Sequence, residues 1–247
     1  MLKVAVIGAK GRMGSQVCAA VSAAPDMELV AQLDRDDDIT AGLRRAQATH
    51  AVDFTIPASA EANVMAALQA ETHVVVGTTG WSEDAYQRVR QAAQAAGRSV
   101  LIAPNFAISA VLAMKFAAAA APYFESVEIL EMHHPDKLDA PSGTAIATAK
   151  GIAAAREAAG APDFPDHTES DPQGTRGGKI AGVPVHAVRL RGLYAHEEIL
   201  FGNPGEQLVV RTDCFDRVSF MPGVLLGLRK VAAFPGLTIG LEPLLGL

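Results

Sequence analysis

Between residues 131 and 144 the chain reads Glu-Met-His-His-Pro-Asp-Lys-Leu-Asp-Ala-Pro-Ser-Gly-Thr, which places His133, His134 and Lys137 within five residues. Imidazoles and an ammonium can move protons near neutral pH and can hold anions. Ser142 is placed to cap a helix, with Pro141 just before it. Gly143 and Thr144 then fall in a first turn, whose N–H groups favour carboxylates. The chemistry on offer is proton donation beside a bound carboxylate. Zinc is the competing reading, yet His133 and His134 are adjacent, and neither a cysteine nor a third histidine lies near at metal spacing. No metal is expected. Taken singly, each of these side chains is also an ordinary polar group at a strand end.

A second set opens the chain: Val4-Ala-Val-Ile-Gly8-Ala9-Lys10-Gly11-Arg12-Met13-Gly14. Glycines at this spacing let a strand-to-helix turn approach a pyrophosphate closely, and the following helix start offers it N–H groups. The pattern G-x-x-G-x-x-G is a variant of the dinucleotide fingerprint. Asp34 lies twenty residues beyond Gly14, at the end of the second predicted strand, where a carboxylate can accept ribose hydroxyls. Asp34 would repel a 2′-phosphate, whereas Lys10, Arg12 and Arg35 can neutralise one, so NADH and NADPH are both expected cofactors. Gly77-Thr78-Thr79 and Ala103-Pro104-Asn105-Phe106 follow the fourth and fifth predicted strands on the same edge. They are expected to line the nicotinamide end, although alone they are ordinary turns.

These residues need elements to position them. Up to about residue 104, short β-branched runs alternate with alanine-rich segments of helical period, the pattern of βαβ units on a parallel sheet. Strands are predicted near 3–7, 28–33, 50–54, 73–76 and 99–102, with helices near 12–23, 60–70 and 82–96. Beyond Phe106 the rhythm changes to a long apolar helix, a strand near 124–132 and a helix from Ser142. A Pro-, Gly- and Asp-rich loop at 160–179, expected to be mobile, precedes mixed or antiparallel strands between 183 and 213. A final helix is predicted from Met221. The fold class is therefore α/β, with a Rossmann-like dinucleotide-binding domain and a second, α+β domain.

The whole chain bounds the alternatives. Its 247 residues are 49% hydrophobic and 19% charged, which excludes disorder as the main state. Two cysteines, Cys18 and Cys214, exclude a disulfide framework and fit the cytoplasm. A net charge of −6 argues against nucleic acid, so an anionic ligand has to meet a locally basic site. The stretch from Phe106 to Phe124 is broken by Lys115 and Pro122, so no membrane span or membrane partner is expected. No export leader is visible at the start.

The run E-x-H-H-x-x-K-x-D-A-P-S-G-T-A, from Glu131 to Ala145, resembles the signature of 4-hydroxy-tetrahydrodipicolinate (dihydrodipicolinate) reductases. The resemblance extends through Gly8–Gly14, Val76–Gly80, Ala103–Phe106, His186–Leu190 and His196–Gly202, leaving only about 160–179 without a recognisable pattern. It implies NAD(P)H-dependent reduction of a cyclic dicarboxylate imine on the diaminopimelate route to lysine, by a homotetramer joined through sheets of its second domain. It further implies His133 as proton donor or acceptor and Lys137 as proton donor. His134, Gly143 and Thr144 become substrate contacts; residues 8–13, Asp34, 77–79 and 103–106 become dinucleotide contacts. The dinucleotide domain would comprise 1–104 and 214–247, and the substrate and assembly domain 105–213. Cofactor and substrate would then meet across a cleft that closes about hinges near 104–106 and 214–220.

Two rivals remain at this level. Another dinucleotide-dependent dehydrogenase that forms an acyl-enzyme needs a loop cysteine, whereas Cys18 falls in a predicted helix and Cys214 at a strand end. A protein that merely holds NAD(H) would have no use for the His133, His134 and Lys137 set.

Overall fold

The computed structural model describes residues 1–246. In chain order its elements are β1 (Leu2–Ile7), α1 (Arg12–Ala23), β2 (Met27–Leu33), α2 (Ile39–Ala46), β3 (His50–Asp53), α3 (Pro57–Gln69), β4 (His73–Val76), α4 (Glu83–Ala96) and β5 (Ser99–Ile102). These are followed by α5 (Ile108–Ala120), β6 (Ser126–His133), α6 (Gly143–Ala158), β7 (Gly178–Ile180), β8 (Val183–Arg189), β9 (Ala195–Asn203) and β10 (Glu206–Cys214). The chain ends with α7 (Met221–Lys230), β11 (Gly236–Ile239) and α8 (Glu242–Leu245). Two units result: Met1–Ile108 with Arg217–Leu247, and Ser109–Asp216.

In the first unit six parallel strands form one sheet in the order β11-β5-β4-β3-β1-β2. Val74-Val75-Val76 and Val100-Leu101-Ile102 are apolar without alternation because both faces of a parallel sheet are covered, and all six are buried. The strands β2 and β3 pair on opposite sides of β1. The order of strands therefore reverses at β1, and the crevice beyond the carboxyl ends of β1 and β3 is where such a sheet takes its ligand.

The second unit holds a five-stranded mixed sheet in the order β10-β9-β6-β8-β7, parallel only between β6 and β8. Alternation along β6 sends Val127, Ile129 and Glu131 to one face, opposite Phe201, Ile199 and Glu197 of β9. There Ala145, Ala149 and Ile152 of α6 pack on Val127, Ile129, Ile199 and Phe201. The other face carries Leu130, Met132, Val188, Leu200 and Val209, with Val188 and Val209 exposed.

Differences from the sequence expectation have physical causes. The helix expected at 60–70 begins at Pro57, because proline suits the first helical position. Helix α2 was not expected: it is short, and its Gly42, a poor helix former, lies against the Leu33 side chain. Strand β7 has three residues, and β11 opens on a left-handed Gly236 behind Pro235, a turn signal rather than a strand start. Residues 161–177 form no helix or strand, yet Arg156 donates to the Pro162 carbonyl and Arg176 pairs with Glu128 at 2.5 Å. Among the described residues no helix is long and apolar enough to cross a membrane.

Candidate active site

The turn after β1 is built for close approach. Gly8 adopts a left-handed φ of 80°, and its N–H donates to the Leu33 carbonyl at 2.8 Å. A Cβ on Gly14 would stand 2.0 Å from the Gly8 carbonyl oxygen, so only glycine lets α1 start against the turn. Side chains of Asp38, Ser82 and Ser142 cap α2, α4 and α6, whereas Gly11 gives α1 no side-chain cap. The first-turn amides of α1 are left to an outside anion.

Asp34 sits beside this turn. Its carboxylate accepts from the Arg35 amide at 2.9 Å and from the Lys10 amide at 3.1 Å, which hold it below the usual carboxylate range. A cleft of about 520 Å³ runs past Gly8, Gly11, Asp34, Arg35, Phe54 and Thr55. The turn, the uncapped helix start and the anchored acid fit a dinucleotide, with an acceptor for ribose hydroxyls and room for the attached base.

The neighbouring loops are tied together by Asp53, a fully buried carboxylate at the end of β3. It accepts from Thr78 Oγ1 at 2.7 Å, Thr55 Oγ1 at 2.8 Å and Asn63 Nδ2 at 2.8 Å. Burial pushes its carboxyl up, against the pull of these donors. Thr78 Oγ1 in turn accepts from the Thr55 amide at 2.9 Å, so its hydroxyl fastens two loops to each other. Gly77 is required by packing, since a Cβ there would lie 2.0 Å from Phe54 Cε1. The Phe54 and Phe106 rings lie 5.8 Å apart. Ala103 and Phe106 are buried, Asn105 is half-buried with its Oδ1 accepting from the Ala107 amide, and Thr79 and Pro104 are exposed.

In the second unit the loop from His133 to Ser142 hangs on Glu131, which is wholly buried. Its carboxylate accepts from His133 Nδ1 at 2.7 Å, from both terminal nitrogens of Arg189 at 2.7 and 2.8 Å, and from the Ser142 amide at 3.0 Å. Burial opposes its charge, but the His133 and Arg189 hydrogen bonds overcome this and hold the carboxyl at about 2. One anion thus fixes the strand end, the imidazole and the start of α6. Because His133 Nδ1 donates to Glu131, the ring is oriented with Nε2 left for another partner.

Arg189 also donates to the Asp139 carbonyl at 2.8 Å, closing the loop, and Lys137 Nζ pairs with Asp139 Oδ1 at 2.7 Å. The half-buried His134 ring lies 6.0 Å from that of Tyr194. Ser142 caps α6 by accepting from the Ala145 amide at 3.1 Å, which leaves Gly143 and Thr144 as the first helical residues. His133, His134, Lys137, Gly143 and Thr144 therefore belong to a single loop and helix start. The dinucleotide candidates 8–13, Asp34, 77–79 and 103–106 lie at the carboxyl ends of the parallel strands. Among the described residues no group of three or more His, Cys, Asp or Glu side chains is placed to hold a metal ion.

Arg189, Asp53 and the bracing role of Glu131 escaped the sequence reading. Alternation held the signal for Glu131: in Val127, Ile129, Glu131 a carboxylate falls on the buried face, and a buried carboxylate needs donors. The register that sets Arg189 beside His133 is a tertiary fact that no local pattern encodes.

Two family models match in succession: dihydrodipicolinate reductase, N-terminus, over residues 2–106, and dihydrodipicolinate reductase, C-terminus, over residues 109–245. The 4-hydroxy-tetrahydrodipicolinate reductase of Beutenbergia cavernae is 59% identical across all of this chain and 99% of its own length. That of Bifidobacterium animalis subsp. lactis is 58% identical across the full length of both. The solved dipicolinate-bound dihydrodipicolinate reductase of Paenisporosarcina sp. TG-14 is 38% identical with a TM-score of 0.88, covering 98% of this chain and 99% of that one. A probable dehydrogenase from Thermotoga maritima, 12% identical with a TM-score of 0.61, shares the fold alone. With the glycine turn and the braced cationic loop both present on a chain matched from end to end, this protein belongs to the dihydrodipicolinate reductase family.

Proposed function

We propose that the chain reduces 4-hydroxy-tetrahydrodipicolinate to tetrahydrodipicolinate, with loss of water, using NADH or NADPH on the diaminopimelate route to lysine. The observation that carries this reading is the Glu131 brace, which holds His133, the Lys137 loop and the capped start of α6 in one place. A cyclic dicarboxylate needs such a combination of anion holders and proton donors.

The Gly8, Ala9, Lys10, Gly11, Arg12 and Met13 turn would hold the pyrophosphate, and Asp34 the adenine ribose. Gly77, Thr78 and Thr79, with Ala103, Pro104, Asn105 and Phe106, would hold the nicotinamide end. A bound nicotinamide supplies hydride to the substrate. Lys137 delivers the proton that quenches the electron density left on the substrate, and its charge stabilises that density as it develops. His133, oriented by Glu131, donates or accepts a proton through Nε2. His134 and the Gly143 and Thr144 amides hold the carboxylates.

The outer face of the second sheet, where Val188 and Val209 stand exposed beside the Glu128–His186 and Glu198–Arg211 pairs, supports a homotetramer assembled through that sheet. Two free, buried cysteines support a cytoplasmic location. The deciding assay follows NADH and NADPH oxidation with freshly generated 4-hydroxy-tetrahydrodipicolinate, with dipicolinate as competitor. Oxidation of both cofactors, inhibited competitively by dipicolinate, is expected. Cofactor binding without turnover would overturn the reading in favour of a protein that only holds NAD(H).

A further inference from the structure

Glu197 on β9 is the least accounted-for side chain in the second unit. It lies directly opposite Glu131 on β6, and only 4% of its surface is exposed. Among the described residues no donor reaches its Oε1. Its Oε2 lies 3.0 Å from Thr148 Oγ1 of α6, and that hydroxyl is also 3.0 Å from the Thr144 carbonyl oxygen one turn earlier.

The hydroxyl proton of Thr148 can serve only one of these two. A carbonyl oxygen can only accept, so if Thr148 donates to Thr144, the hydrogen bond to Glu197 needs its proton from Glu197. Other faces of the site offer no substitute. Thr212, opposite on β10, donates its hydroxyl to Ser109 at 2.8 Å. The charged donors across the sheet, Arg189 of β8 and His133 of β6, are both engaged by Glu131. An ionised Glu197 would therefore face an ionised Glu131 with no cation of its own.

We propose that Glu197 is a positioning residue kept as the neutral carboxylic acid: it donates to Thr148, Thr148 donates to the Thr144 carbonyl, and this relay fixes the first turn of α6 for the substrate carboxylate. The inference rests on the assignment of Gly143 and Thr144 as carboxylate contacts. Burial pushes the Glu197 carboxyl up to about 7; the Thr148 hydrogen bond pulls against this and the Glu131 charge reinforces it. Deprotonation then turns Thr148 toward Glu197, takes the side-chain hydrogen bond away from the Thr144 carbonyl, which keeps its helical partner, and shifts the turn.

The test compares the wild type with Glu197→Gln, a neutral side chain that keeps a donor, and with Thr148→Val, which breaks the relay. Dipicolinate affinity is measured by calorimetry at about pH 6 and about pH 8.5. At the lower pH, Glu197→Gln should bind within about twofold of the wild type; at the higher, about three- to tenfold more tightly, the effect of one hydrogen bond. Thr148→Val should bind more weakly at both. A second measurement follows unfolding of the wild type and Glu197→Gln with pH. The folded wild type retains a proton that the unfolded chain releases, so its stability should fall from the usual carboxylate range up to about 7, and Glu197→Gln should lack that slope. Identical slopes would show an ionised Glu197 and overturn the proposal. Different slopes with parallel affinity profiles would overturn the positioning role. Failure of the wild type to turn over 4-hydroxy-tetrahydrodipicolinate would sink the functional reading instead, and the unfolding comparison would still report on Glu197.

Discussion

The two candidate sites are made by opposite means. The turn after β1 works through backbone: its defining residues are glycines, its helix start lacks a side-chain cap, and the Asp34 carboxylate beside it is oriented by main-chain amides. The loop after β6 works through side chains: a buried carboxylate braces an imidazole and a guanidinium and holds a capped helix start. Shape dominates the first and charge the second. Substitutions in the first should therefore act on binding through added bulk, and those in the second should divide between chemistry and anchoring.

The largest effect is expected from Lys137→Ala, with kcat lowered about 10²–10⁴-fold and NADH affinity almost unchanged, as befits a general acid. A loss below about threefold would remove the proton donor from the charged loop. Next comes Gly14→Ala, whose methyl meets the Gly8 carbonyl. Its KM for NADH should rise about 10²-fold by displacement of the turn, while dipicolinate titrations stay at the wild-type value. Weakened dipicolinate binding would break the division of labour. His134→Ala should raise the KM for the dicarboxylate about tenfold with kcat nearly constant, because a carboxylate is held in both ground and transition states. A pure kcat effect would move His134 from anchoring to chemistry. Smallest is Asp34→Ala, expected to weaken NADH binding about fivefold and to favour NADPH by comparison. Unchanged NADH binding would take Asp34 out of the ribose site.

Much of this arrangement was legible because local chemistry encodes it. The first five strands, α1, α4 and the Ser142 cap announce themselves through β-branched runs, helical period and capping residues. The loop-borne candidates stand out because glycine, histidine and lysine cluster at those spacings ahead of helix starts, and their roles come from the family resemblance. Helix α2 and strand β11 were not legible: Ile39–Ala46 holds a glycine against Leu33, and Gly236–Ile239 opens on Pro235-Gly236, a turn signal rather than a strand start. Nor were the partners of buried carboxylates. That Asp53 gathers Thr55, Asn63 and Thr78, and that Glu131 meets Arg189, depends on strand register and loop closure.

The place of β11 has a bearing on how the chain is made. This strand lies beside β5 at the border of the parallel sheet, yet more than a hundred residues separate them in sequence, including all of Ser109–Asp216. During synthesis from the amino end, β5 emerges with its outer hydrogen-bonding groups unmatched and stays so while the whole insertion is translated. Val100, Leu101 and Ile102 form an apolar border of the kind that recruits strands from other molecules. The nascent protein is therefore most vulnerable to aggregation in the interval before Gly236–Ile239 leaves the ribosome. Truncations that remove Gly236–Ile239 should reproduce that vulnerability in the finished chain.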